Sequence, residues 1–514
     1  MSGSNTGCPV SMNLPSIGIR CGREIHHAPH GADEQNVCLM HSQDPRKQAG
    51  PLFNQFWANF EEILRAAGHG DANFTRFVFP EVDLRTREIQ SICCFAGATF
   101  TQNFRFRATF KRHADFSHAT FKQDASFYEA VFEQNASFFK ATFEQNANFS
   151  CATFIRATEG PAVRSSGAEK ADFRGAVFAQ DADFSATTFT TSQRLKSNAD
   201  SADSTGLQTV DFSEAVWKGE ANFSGTTFQA LADWRKSRFL DRVKFLSTGF
   251  EPEGKSAPSA VFDLAEFSQP GAVVFNEVDL SRVLFQNCDV SQLWFASSVK
   301  WAERPGGRGL AVFDETVPLN HRGLQGNGRR DFKAVAQIYH QLKKNFDSRL
   351  DYWTANDFHF GEMEMKRLAG QDAGCLLPLR RWLHRNLSTV AFYRLTSDYG
   401  NSYRKPAAML LATLALFAVL LPLPGIGLKR QSANLPETYT NTWDTRDGWG
   451  PNLNREVKLE AKAAVAAVEA ATYQRNSEYS PAYPWGRVLA IVTTLLTSTL
   501  FGLFLLAVRR QFKR

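Results

Sequence analysis

Large apolar residues recur along the middle of the chain with a spacing that is neither helical nor that of an ordinary strand. Phe110, Phe116, Phe121, Phe127, Phe132, Phe138, Phe143, Phe149 and Phe154 alternate steps of six and five residues. The rhythm returns at Phe173, Phe178, Phe184 and Phe189, and again at Phe212, Trp217, Phe223, Phe228, Trp234, Phe239, Phe245 and Phe250. It becomes a plain five-step at Phe275, Leu280, Phe285, Val290 and Phe295, and Phe74, Phe79, Leu84, Ile89, Phe95 and Phe100 fit the same count upstream. A helix repeats roughly every 3.6 residues and a strand every two, so this period fits a chain that turns a corner after each short side of a coil. Ala stands two residues before many of the large ones, as at Ala108, Ala114, Ala119, Ala125 and Ala130. A small and a large side chain on each side would fill a narrow square interior, and the Thr, Asp, Ser and Asn between them suit turns.

Other stretches carry helical patterns. Phe53, Phe56, Trp57, Phe60, Ile63 and Leu64 predict a helix that caps the open end of the coil, whose strand edges need cover. Phe332, Val335, Tyr339, Leu342 and Phe346 predict an amphipathic helix, and a second runs from Trp353 to Leu368 with Phe358 and Met365 inward. Pro406 to Leu428 is 23 residues without a charge, and Val488 to Val508 is 21, each long enough to cross a bilayer as a helix.

The segments ATFKRHADFSH, ATFKQDASFYE, AVFEQNASFFK and ATFEQNANFSC resemble the pentapeptide-repeat family, whose consensus is A-(D/N)-(L/F)-x-x. The resemblance covers about 74–300, less interruptions at 155–170, 190–210 and 251–261. It implies a mainly β solenoid, a right-handed quadrilateral β-helix, followed by an α-helical neck and two transmembrane α-helices. At about 4.8 Å between stacked strands, eight or nine coils make a rod roughly 40 Å long. The six-residue steps suggest a small bulge on alternate sides. The expected organisation is 1–50 Cys/His-rich head, 51–70 capping helix, 71–300 β-helix, 301–330 linker, 331–400 helical neck and juxtamembrane segment, 401–430 first transmembrane helix, 431–486 non-cytoplasmic loop, and 487–514 second transmembrane helix with a basic tail.

The head holds Cys8, Cys21, His26, His27, His30, Cys38 and His41. Cys38-x-x-His41 has the short spacing with which one turn presents two ligands to a metal, and Cys21-Gly22-Arg23 reads as a turn with a thiolate at its tip. The stretch CGREIHHAPHGADEQNVCLMHSQDP resembles a small zinc-binding head found on some membrane pentapeptide-repeat proteins. A tetrahedral Zn²⁺ site would take Cys21, Cys38, His41 and one of Cys8, His26, His27 or His30, with Cys8 taken first. The competing reading is a leader with free thiols and solvated histidines.

Charge changes the picture next. The chain carries net +6, yet residues 71–300 hold 24 Lys+Arg against 28 Asp+Glu, a net −4. The basic excess therefore lies outside the rod, which argues for a lipid bilayer as partner and against nucleic acid. The mean hydropathy of −0.30 averages a polar rod with an apolar tail. Arg380, Arg381, Arg385, Arg394, Arg404 and Lys405 precede the first span, and Arg509, Arg510, Lys513 and Arg514 follow the second. The positive-inside rule then places both termini in the cytoplasm, in a two-span protein of a bacterial inner membrane, with Lys429 and Arg430 a local counter-signal. Scattered cysteines fit a reducing cytosol, and no signal peptide is expected at an N-terminus without an apolar core. Tyr483 and Trp485 suit an interfacial belt, and Thr494, Ser498 and Gly502 form a small-residue stripe suited to a homo-oligomer.

The expected function is a cytoplasmic-side interaction scaffold or sensor with an unknown protein partner and no catalysis. The alternative is a channel-like pore subunit built on the two-span hairpin, weakened by the lack of a filter motif. Topoisomerase-directed members of the family are acidic and soluble, unlike this chain. His359 and Glu362 read as a solvated helix face, and no nucleophile elbow, P-loop or HExxH motif is present.

Overall fold

The computed structural model describes residues 7–11, 20–28, 33, 35–156, 169–191, 209–251, 257–304, 309–315, 331–369, 388–420, 426–428, 438–439, 449–471, 479–481 and 484–512. They divide into two units, Met1–Leu350 and Asp351–Arg514.

The first unit is a four-sided β-solenoid. One turn is made by the two-residue strands Ala114–Asp115, Thr120–Phe121, Ala125–Ser126 and Val131–Phe132. The next turn pairs on top of it in parallel, Ala136 on Ala114 and Thr142 on Thr120, 22 residues later. A coil is therefore two five-residue steps and two six-residue steps. Each five-residue step turns through a left-handed residue: His118 (φ 57°), Glu129 (φ 54°), Lys140 (φ 52°) and Cys151 (φ 57°) follow one another at intervals of 11. A non-glycine residue there is strained, and the residue between Ala and Phe helps hold the turn. Asp115 accepts the Ser117 N–H at 2.9 Å, Asn148 that of Ser150 at 2.8 Å, and Asp183 that of Ser185 at 2.9 Å. This Asx turn is the physical reason for Asp or Asn at that place in the repeat. The six-residue steps do not form the bulges expected of them. Their extra residue lies in the corner, and the ladders beside it keep register. Register shifts occur elsewhere, between Arg85 and Arg87 and between Glu169 and Ala171.

The interior is filled by four columns of rings. Phe116 stacks on Phe95 at 4.7 Å and on Phe138 at 5.1 Å, nearly parallel to both. Phe121 and Phe143 stack at 4.7 Å, as do Phe127 and Phe149, while Phe132 and Phe154 stack at 4.8 Å. Neighbouring columns meet edge to face, as Phe127 meets Phe138 at 5.2 Å. Ring spacing matches strand spacing, so each Phe fills its own layer. Ala114, Ala119, Ala125 and Ala130 point inward beside them and are buried.

The expected interruptions contain residues 157–168, 192–208 and 252–256, which lie outside the described residues. Stacking continues across each of them, with Ala136 on Ala171, Phe178 on Trp217 and Ala232 on Ala260. All three leave the rod at one corner, between the face that ends in Arg156, Thr191 or Phe250 and the face that begins at Glu169, Thr209 or Ala260.

Helices close both ends. Helix α1 (Gly50–Ala67) buries Phe56 and Phe60, and Phe60 stacks at 4.6 Å on Phe74 of the first coil. Helix α2 (Phe332–Ser348), which the sequence places in a neck, lies on the last coil. Its Phe346 stacks on Phe295 at 6.2 Å. The amide of Asn345 donates to the carbonyls of Val290 and Leu293 at 2.8 Å each, and Arg349 just beyond the helix donates to Phe295 O at 3.0 Å. Polar side chains thus meet the carbonyls that another coil would otherwise use.

The second unit is helical. Helix α3 (Tyr352–Ala369) and α4 (Thr389–Ser397) share a buried network in which Glu364 pairs with Arg367 at 2.5 Å and Arg394 at 3.2 Å and accepts the Tyr399 hydroxyl at 2.9 Å. His359 and Glu362 are buried rather than a solvated face, since they sit on the inward side of α3, with Glu362 held by Lys366 at 2.5 Å. Helix α5 (Arg404–Leu420) covers only 17 residues of the expected first span. Ile426–Leu428 is a strand paired antiparallel with Tyr479–Pro481. Residues 421–425, between α5 and that strand, lie outside the described residues. Helix α6 (Trp449–Ala471) packs on α5 and on α7 (Pro484–Phe512), burying Ala463 and Ala467 against Leu489. Within α7, Pro484–Arg509 is long and apolar enough to cross a membrane, and it is the helix that meets that test among the described residues. Trp485 at its start is 81% exposed. Thr493 and Thr497 are buried, whereas Thr494, Ser498 and Gly502 are half-buried, and the Ser498 hydroxyl donates back to Thr494 O at 2.6 Å. Lys429, Arg430, Tyr483, Lys513, Arg514 and the Arg380–Arg385 cluster lie outside the described residues.

Candidate metal centre

The head brings Cys8, Cys21, Cys38 and His41 together. Each offers one ligand atom, and the four atoms lie within 4.8 Å of one another. Two local structures position them. The first is a pair of antiparallel extended segments bridged at Ser11 and Arg20: Cys21 N–H donates to Val10 O at 2.9 Å, Cys8 N–H to Arg23 O at 2.9 Å, and Gly22 N–H to Cys8 O at 3.1 Å. Gly22 takes φ +65°, and a Cβ at Gly7 would meet Gly22 O at 2.6 Å, so both glycines are needed for this close approach. The second is the turn Cys38–His41, closed by His41 N–H to Cys38 O at 3.0 Å.

Sulfur and nitrogen converge. Cys38 Sγ lies 3.1 Å and Cys8 Sγ 3.4 Å from His41 Nδ1, and Cys21 Sγ lies 3.8 Å from Cys38 Sγ. His41 Nε2 is 3.2 Å from the Thr75 carbonyl, which can only accept. Nε2 therefore carries the proton and Nδ1 offers its lone pair to the cluster, the usual way an outer partner fixes a ligating histidine. The hydrogen bond with Cys38 pulls the Cys21 thiol down to about 4, and the same bond, with burial, pushes Cys38 up. Two thiols sharing one proton are ready to yield it to a cation. Nearby, Lys47 is buried and its Nζ donates to Ser42 O at 2.8 Å and Val78 O at 2.6 Å, with burial lowering it to about 7.

Of the alternatives for the fourth ligand, the structure brings in Cys8. His26 turns away to Asp44 at 2.9 Å, and His30 lies outside the described residues. His27 is not in the cluster. Elsewhere, Cys93 takes an inward place of the kind usually filled by Ala, and burial lifts its thiol to about 12. The residue that sequence reasoning missed is Thr75, whose carbonyl acts through the backbone and leaves no side-chain signal.

Three thiol sulfurs and one imidazole nitrogen suit a borderline-soft divalent cation in tetrahedral geometry, and the buried, closed donor set suits a structural role. Comparison with curated proteins and with solved structures gives no match. The family described as "Pentapeptide repeats (9 copies)" matches residues 116–159. With parallel stacking on both sides of that match, the chain carries a pentapeptide-repeat segment within a longer β-solenoid.

Proposed function

We propose that this chain is a non-catalytic, membrane-anchored pentapeptide-repeat protein. Its rod serves as an interaction scaffold or sensor on the cytoplasmic side of a bilayer, and its head holds zinc. The observation that carries this reading is a rod whose interior is filled with rings and whose two ends are closed by helices. Recognition then falls to the outward side chains, repeated at a fixed spacing, as in other solenoids.

Helix α7 supports the anchor by its length and polarity, with Trp485 at one end and Arg509 at the other. In this reading α5 crosses as well. Its 17 residues reach about 25 Å, a small mismatch that a bilayer accommodates by thinning. Self-association would use the half-buried stripe Thr494, Ser498 and Gly502. The packing of α6 on both apolar helices keeps a pore subunit as the second reading; absence of current from the chain reconstituted in planar bilayers removes it.

The scaffold is tested by crosslinking in native membranes. The full chain should capture one defined cytosolic protein that a chain lacking residues 71–315 does not. Recovery of the same protein without the rod refutes the proposal. Zinc is tested by metal analysis of reduced, freshly purified chain, where one per chain is expected and less than about half counts against the site.

A further inference from the structure

We infer that metal occupancy of the Cys8, Cys21, Cys38 and His41 cluster decides whether the Val78–Phe79 edge of the first coil, beside the end that α1 closes, is covered. The inference rests on the metal reading above and adds what the metal controls.

A solenoid ends in strands whose outer N–H and C=O groups have no next coil to pair with. At the amino-terminal end the two-residue strand Val78–Phe79 is such an edge. Its Val78 N–H donates to Met40 O at 2.8 Å, and its Val78 carbonyl accepts Lys47 Nζ at 2.6 Å. Met40 stands between two of the metal-binding side chains, in the turn Cys38–Leu39–Met40–His41, and is buried. The His41 ring meets Phe77 edge-on at 5.0 Å while its Nε2 bonds Thr75 O. Lys47 is held in turn by Ser42 O at 2.8 Å. The groups that cover this edge therefore hang on residues 38–42 and on Lys47, and the cluster ties that turn to the strand pair carrying Cys8 and Cys21.

Beside the polar bonds His26–Asp44, Ser42–Asp33 and His26 N–H to Val37 O, this tie has little apolar packing to replace it. The buried apolar residues of the described head before His41 are Cys8, Val37, Cys38, Leu39 and Met40, of which two are themselves cluster members. A segment with so small a core takes its folding free energy from the metal. With the metal gone, the turn loses its hold, the Val78 amide meets solvent, and the bared parallel edge is free to pair with the same edge of a second copy.

The test uses the full chain in mild detergent, loaded with zinc, stripped by a chelator, and reloaded with Zn²⁺ alone. Hydrogen exchange is read at the amide of Val78 and, as an internal control, at Val131 in the middle of the rod. Stripping should raise exchange at Val78 by about tenfold or more, reloading should reverse it, and Val131 should not move. Cys38→Ser should match the stripped chain; if it fails to fold, stripping and reloading still decide. Less than about half a zinc per chain overturns the metal reading and this inference with it. One zinc per chain with Val78 exchange unmoved by stripping overturns the inference alone.

Discussion

Replacing Phe138 by Ala tests the ring columns against an internal control one residue away. The Phe138 side chain is fully buried. It stacks on Phe116 at 5.1 Å and Phe173 at 4.9 Å, and meets Phe127 at 5.2 Å and Phe149 at 5.3 Å edge to face. Truncation leaves a ring-sized void that the stiff stack above and below cannot close, which costs about 4 kcal/mol. Phe139 is the same residue type on the outside of the corner, half-buried, with Lys140 and Arg174 over its ring at 5.1 and 5.3 Å. Its truncation loses exposed cation–π contacts and costs below about 1 kcal/mol. The difference of about 3 kcal/mol is roughly a hundredfold in the opening equilibrium of the surrounding coils. Because each coil touches only its neighbours, the loss should be local. Amide exchange on the strands Ala114–Asp115, Ala136–Ser137 and Glu169–Asp172 reads it directly. Phe138→Ala should release these strands while those at Val243–Leu246 stay protected, and Phe139→Ala should leave both unchanged. Equal effects from the two substitutions would show that the rings do not pack inward, and the account of the rod would fall.

Two further outcomes concern the carboxyl-terminal end of the rod. Asn345→Ala strands the carbonyl of Val290, while Leu293 O keeps its bond from Arg349; the cost is about 2 kcal/mol, and the last coil should open to limited proteolysis before the middle of the rod is cut. Asp314 accepts the Phe285 N–H at 3.2 Å, and burial lifts its carboxyl from 3.8 to about 7. The folded chain thus holds this proton more tightly than the unfolded chain. The stabilising contribution is complete below about pH 4 and is lost as pH rises through about 7. The melting temperature should therefore fall between pH 5 and pH 8, less steeply in Asp314→Asn; the same slope in both would exclude this carboxyl.

The period of the rod was legible because one residue type marks every inward position, and the columns Phe116–Phe138–Phe173 and Phe121–Phe143–Phe178 stack as that spacing requires. The corners were less so. Five against six residues can be counted, but the left-handed turn at His118 or Cys151 depends on a hydrogen bond from the backbone to Asp115 or Asn148. The apolar stripe of α2 announces a helix without naming what it covers, and Asn345 and Arg349, which do the capping, look like ordinary surface residues. In the head, Cys38 and His41 share one turn and could be paired from spacing, while Cys8 arrives through a strand pairing that no local pattern encodes.

The three interruptions share one corner, and they branch from the fourth, fifth and seventh layers of the stack. Their roots are therefore spaced by one and then two strand separations, about 5 and about 10 Å along the axis. Chain length can change at these points while the stacking resumes beyond them, with a register shift between Glu169 and Ala171 at the first root. Evolution, or a protein engineer splicing in foreign peptides, has here a graduated rail: the length of an insert is unconstrained by the ladders, but the interval between insertions is metered by the backbone.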